Sequence, residues 1–135
     1  MSEIDEDIEA TVERLQAAFE SIHRERFAGT ALANEQLEVE VIPAGLVTSS
    51  SGTHQLVVVV TPWTMNGLAL PGTGIPETIL VAGKPRSLTH MEVPGIGQYA
   101  QVNLVSDVSK YTNHRQARTI AQSFVEPFVQ AISAC

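Results

Sequence analysis

Hydrophobic positions fall into three regimes along the chain. In the first, Ile4, Ile8, Val12, Leu15, Phe19 and Ile22 recur at intervals of three and four, and the stripe runs out at Arg26 and Phe27. This spacing predicts a long N-terminal amphipathic helix. Ser2 is placed to cap it, with Asp5 as reciprocal partner, and Gly29 is placed to end it. Acidic residues crowd its first turns; His23, Arg24 and Arg26 crowd its last. Both clusters suit the helix dipole.

In the second regime the period drops to two, or the runs become wholly apolar. Residues 37–41 alternate, which predicts a half-buried strand. Residues 48–53 are a Thr/Ser/Gly cluster and predict a turn. Residues 56–60 are continuously apolar, the pattern of a central strand. Residues 65–70 predict a further strand after an interruption. Residues 78–81 and 87–93 flank a turn at Gly83, Lys84 and Pro85 and read as a hairpin-like pair. Residues 99–105 alternate again. In the third regime Ala117, Ile120, Ala121, Phe124, Phe128 and Ile132 form a second helical stripe. Thr112 or Asn113 is placed to cap it, and Pro127 predicts a kink or restart within it. Many short strands joined by turns favour an antiparallel or mixed sheet over βαβ units. The expected fold is a single α+β domain over residues 1–135. It has about five or six strands, packed by the two helices, both on one sheet face.

Composition narrows the chemistry. With 135 residues and 44% hydrophobic content the chain can build a core, and 17% charged residues is too few for a disordered chain. The net charge of −7 argues against nucleic acid, which needs clustered cations. It favours neutral or basic partners. The one cysteine, Cys135, excludes an internal disulfide or a Cys-based metal site. The acidic N-terminus is unlike a signal peptide, and no apolar run reaches the roughly 18 residues of a membrane span. A cytoplasmic protein without membrane insertion is expected.

Catalytic and cofactor patterns are weak. His23, His54, His90 and His114 lie far apart and read as surface or capping residues, not metal ligands. The Ser49–Ser50–Ser51–Gly52 run lacks the strand and helix context of a nucleophile elbow and reads as a hairpin loop. The Pro71–Gly72–Thr73–Gly74 run lacks the Lys-Ser/Thr of a phosphate loop and reads as a turn. No catalytic residue, metal site or cofactor is expected.

The stretch Thr61–Pro62–Trp63–Thr64–Met65–Asn66 holds the only Trp. Two roles fit it. Trp63 caps the core where the preceding strand ends. Alternatively, Pro62 breaks the ladder and presents Trp63, Met65 and Asn66 as a docking patch. This stretch, followed by Leu68, Leu70 and Pro71, resembles the signature of the HybE/HupJ family of nickel–iron hydrogenase assembly chaperones. That signature reads roughly Thr-Pro-Trp-aromatic-Met-Asn, then an apolar run ending in Pro-Gly. The run from Asn34 to Glu40, the Gly83–Lys84 turn, Gly97–Gln98–Tyr99 with Leu104 and Ser106, and Ala117 with Ala121 are similar to family segments in the same order. The resemblance covers about residues 5 to 130. Thr64 stands where the family has an aromatic, Gly67 where it has Leu, Glu35 where it has Pro, Val102 where it has Cys and Asp107 where it has Pro. There is no Cys-x-x-Cys in the sequence, so the fused rubredoxin domain that some members carry is not expected here.

The resemblance implies a non-catalytic chaperone that handles hydrogenase subunit precursors before export. The implied clients are the small subunit with its twin-arginine signal peptide, the large subunit, or both. It also raises the patch of Pro62, Trp63, Met65 and Asn66 as the partner-binding residues. The rival is a small enzyme or ligand-binding domain with a pocket by the loop between Gly72 and Gly83. A deep polar-lined pocket with a perturbed titratable group favours the rival; a shallow apolar patch at Trp63 favours the chaperone.

Overall fold

The computed structural model describes the backbone from Ser2 onward and side chains from Ile8 onward. The Ser2 cap, its partner Asp5 and the stripe position Ile4 therefore lie outside the described side chains. Helix α1 spans Ser2–Ile22 and passes into a π-helical turn, His23–Phe27. Six strands follow: β1 Glu40–Ser49, β2 Gly52–Val60, β3 Met65–Leu70, β4 Thr78–Val81, β5 Lys84–Val93 and β6 Gly97–Val105. Helix α2, His114–Ser133, ends the fold. The strands form one sheet in the order β1-β2-β3-β6-β5-β4, with every neighbouring pair antiparallel.

The continuous apolar run in β2 has a direct structural cause: both sheet faces are covered. Leu56, Val58 and Val60 join Met65, Ala69, Val102 and Leu104 beneath Ala117, Ala121, Phe128 and Ile132 of α2. Val57 and Val59 join Val39, Val41, Leu68 and Leu70 beneath Leu15 and Phe19 of α1. The two helices thus lie on opposite faces, which corrects the expectation of one shared face. A strand apolar at both parities needs cover on both sides. Strand β3 is accordingly buried along its whole length.

Other boundaries shift for local reasons. Strand β1 continues eight residues beyond Val41, to Ser49, because a bulge between Pro43 and Gly45 absorbs the two residues that look like strand breakers. Ser50 and Ser51 make the tight turn into β2. Ile120 is 36% exposed and falls outside the buried stripe of α2. Helix α2 runs through Pro127 as one element. Gly67 makes room for the largest side chain under α2, since a Cβ there would lie 2.9 Å from the Phe128 ring.

Polar side chains fix the edges of this frame. Asn113 is the α2 cap, accepting from the Gln116 amide N–H at 3.0 Å, while Gln116 Oε1 accepts from Thr112 N at 2.8 Å. Glu40 on β1 accepts from Arg118 Nε at 2.8 Å and pairs with His114 Nε2 at 2.7 Å. His114 Nδ1 in turn accepts from the Glu38 amide at 3.1 Å, so Nε2 carries the proton. Burial pushes the Glu40 carboxyl up, but the Arg118 and His114 hydrogen bonds outweigh it and hold it below the ordinary glutamate value. Gln16 of α1 donates to Val39 O at 2.6 Å and accepts from Val41 N at 3.2 Å, so its amide stands in for a missing neighbour strand.

Candidate functional site

The turn from β2 to β3 is closed by one threonine. Thr61 Oγ1 donates to Thr64 O at 2.8 Å and accepts from Thr64 N at 2.9 Å, while Thr61 N donates to Thr64 O at 2.9 Å. This leaves Pro62 and Trp63 at the tip. The Trp63 ring stacks on Phe27 with centroids 4.3 Å apart and planes 8° apart, and on His23 at 6.0 Å and 15°. The π-helical turn supplies both rings from one short element. Its wide loop of chain brings residues four apart onto the same side.

Asn34 joins three loops at this point. Its N–H donates to Pro62 O at 2.6 Å, and its Nδ2 donates to Val108 O at 2.9 Å and Tyr111 O at 2.8 Å. Its Oδ1 accepts from Gln36 N at 3.1 Å. Glu35 holds the preceding wall, pairing with His23 Nε2 at 3.0 Å and accepting from Gly29 N at 2.9 Å. The Gly29 hydrogen bond, with His23 behind it, keeps the Glu35 carboxyl below its usual range.

Between these loops lies an open groove of about 620 Å³. Phe27, Pro62 and Trp63 line its aromatic side, Leu32 stands on one bank, and Asp107 and Val108 lie on the other. Leu32 is 71% exposed, more than any other large hydrophobic among the described residues. Asp107 Oδ1 accepts from Ser109 Oγ at 2.5 Å and Ser109 N at 2.9 Å, and these bonds hold its carboxyl below the usual range. The groove therefore offers aromatic rings, an exposed leucine and an exposed carboxylate.

Of the four patch residues expected from sequence, Pro62 and Trp63 line this groove. Met65 and Asn66 lie beneath it. Met65 has no exposed surface and belongs to the core under α2, and Asn66 is 5% exposed. The Asn66 Oδ1 accepts from Asn103 Nδ2 at 3.0 Å, and the same Nδ2 donates to Thr64 Oγ1 at 2.8 Å. Met65 and Asn66 therefore offer a partner almost no surface in this structure. Phe27, Leu32 and Asp107 enter the groove without having been singled out as binding residues. Leu32 carried a signal, being a lone large apolar residue in a run of small ones.

The model of the family described as NiFe-hydrogenase assembly, chaperone, HybE matches residues 10–133. The chain belongs to the HybE family. No curated protein and no solved structure shows a significant match to it. The match takes in every residue of the groove, from Phe27 to Ser109. Three of the positions where this HybE-family chain departs from the usual signature sit in or beside the groove. Glu35 braces its wall and Asp107 charges its bank, while the Thr64 hydroxyl donates to Val105 O at 3.1 Å.

The region set aside for the rival reading is differently built. Gly72 packs directly on β6, where a Cβ would lie 2.4 Å from Ala100 N. The loop backbone thus fills space against the sheet. Beside it is a depression of about 310 Å³ lined by His90, Glu92, Gln98 and Tyr99; burial pushes the Tyr99 hydroxyl up. His54 is buried at 1% exposure, unlike the surface or capping role expected of it. It sits 2.5 Å from Pro71 O through Nδ1 and 3.2 Å from Ser51 Oγ through Nε2, so it ties the first hairpin to this loop. Among the described residues no helix is long and apolar enough to cross a membrane.

Proposed function

We propose that this HybE-family chain is a non-catalytic chaperone that holds nickel–iron hydrogenase subunit precursors in the cytoplasm before export, through the groove beside Trp63. The favoured client is the small-subunit precursor with its twin-arginine signal peptide, either alone or as it meets the large subunit. The observation that carries the reading is the pairing of ring faces with a carboxylate across one open groove. A guanidinium stem lies well against aromatic faces, and its head suits an Asp107 carboxylate. The net charge of −7 steers a basic segment inward. In this reading half-buried Trp63 and exposed Leu32 touch the client, and buried Pro62 backs Trp63 at the tip of the turn. Met65 and Asn66 serve from below, holding the turn that carries them.

The test is a titration of purified small-subunit precursor, with and without its signal peptide, against three variants. Leu32→Asp changes an exposed residue and should leave the melt unchanged while weakening binding. Trp63→Ala should weaken binding by about thirty-fold, the worth of a hot-spot aromatic. Asp107→Asn should weaken it less and flatten its salt dependence. Unchanged affinity for Leu32→Asp, together with unchanged affinity in the folded fraction of Trp63→Ala, would remove the groove from the mechanism.

A further inference from the structure

The two edges of the sheet are finished differently. On β1 the outward groups at Val39 and Val41 are taken by Gln16, Pro43 has no N–H to offer, and the bulge after it bends the edge. On β4 none of these devices is present among the described residues. Val81 pairs with Lys84 across the two-residue turn Ala82–Gly83, so that pair exchanges ladder bonds. Alternation makes Ile79 and Arg86 the next bonded pair. Leu80 opposite Pro85 and Thr78 opposite Ser87 are the non-bonded pairs. The N–H and C=O of Thr78 and Leu80 therefore point away from β5, at the open edge of the sheet.

Each face of that edge presents apolar side chains, Leu80 beside Thr78 on one and Ile79 on the other. Leu80 is 62% exposed. A groove of about 370 Å³ runs along β4, lined by Ile79, Leu80, Pro127, Ala131 and Ala134. The charges lie at the two ends: Glu77 precedes the strand, Lys84 follows it, and both are exposed. A parallel neighbour of the same sequence would set like charges together. An antiparallel one sets Glu77 of each copy toward Lys84 of the other.

We infer that β4 is the site of self-association: it pairs antiparallel with β4 of a second copy, making one continuous sheet across a two-fold axis. Thr78 of each copy then exchanges backbone bonds with Leu80 of the other. The two Leu80 side chains become diagonal neighbours on one face. On the other face the two Ile79 side chains meet at the axis, and the two grooves join beneath the α2 helices. The contact is isologous, so it closes as a dimer.

Sedimentation equilibrium of the full chain over a wide concentration range tests this. A monomer–dimer equilibrium is expected. Leu80→Lys should abolish it without lowering the melting temperature measured at low concentration, because the side chain is exposed. Glu77→Lys and Lys84→Glu should each raise the dissociation constant by about tenfold, and the double exchange should restore it. Amide exchange at Thr78 and Leu80 should slow as concentration rises. A monomer at every concentration overturns the proposal, as does a dimer indifferent to Leu80→Lys. So does a monomer whose Leu80→Lys variant loses hydrogenase precursor, since that outcome gives the edge to the client instead.

Discussion

The two helices cover opposite faces of one sheet, and they are held to different degrees. Helix α2 begins at a side-chain cap, is tied to β1 by the Glu40–His114–Arg118 cluster, and buries Ala117, Ala121, Phe128, Ala131 and Ile132. Helix α1 drives Leu15 and Phe19 into a smaller cluster, then relaxes into a π-helical turn with no buried residue. The turn is held at Trp63 by ring stacking and at Glu35 by exposed hydrogen bonds. One helix is fixed framework. The other carries, at its end, a wall of the groove beside Trp63. Few buried contacts and exposed hydrogen bonds mark a segment of low local stability.

The largest effect should come from the α2 side. Phe128→Ala should cost about 3–5 kcal/mol in a chemical melt, because Gly67 leaves no nearby side chain to fill the hole. Leu15→Ala and Phe19→Ala should cost about 2–5 kcal/mol, toward the lower end, with exposed Glu13→Gln within about 0.5 kcal/mol. A larger loss at Phe19 than at Phe128 would reverse the ranking of the two faces.

A smaller effect, with a pH signature, should come from Glu40→Gln. The folded carboxyl lies below its ordinary value of 4.5 because Arg118 and His114 outweigh its burial. Its contribution is therefore present above that value and is lost as pH falls through the folded one. The variant should be about 1 kcal/mol less stable at neutral pH, after allowing for partial exposure. The gap should close below pH 4.5. A gap that widens in acid would mean that the cluster does not tie α2 to β1.

The smallest effect should be at Glu35→Gln. Its side chain is half-exposed, so the melt should scarcely move, but Trp63 fluorescence should shift as His23 and the wall loosen. A shifted melt with unchanged fluorescence would place Glu35 in the framework and not in the groove.

Much of the fold was legible because hydrophobic period and turn chemistry agree over most of the chain. The strands at 65–70 and 78–81 match the pattern residue for residue. The misplaced helix had its clue in the sequence: four valines in a row are apolar at both parities, and α1 and α2 are the two elements able to cover them. Strand β1 was cut short because Pro43 and Gly45 resemble a strand end until the β2 partner is seen to accept a bulge. At the site, Pro62 and Trp63 were legible from residue type. Leu32 left a trace as a lone large apolar residue among small ones, but Phe27 and Asp107 did not, since they lie on segments far apart in sequence whose meeting depends on the turn geometry. Met65 and Asn66 look available in the sequence, but strand β3 buries both.

Asn34 sets an order of events. Its side chain bonds residues 74 and 77 positions further along the chain, at the far end of the long loop that such a contact must close. During synthesis the aromatic turn and Trp63 leave the ribosome early, but the bank carrying Asp107 and the carbonyls that fix Asn34 come much later. The groove is therefore absent from a nascent chain until Tyr111 is out. A half-made copy has Trp63 without the loops that enclose it, and the groove is a property of the finished molecule alone.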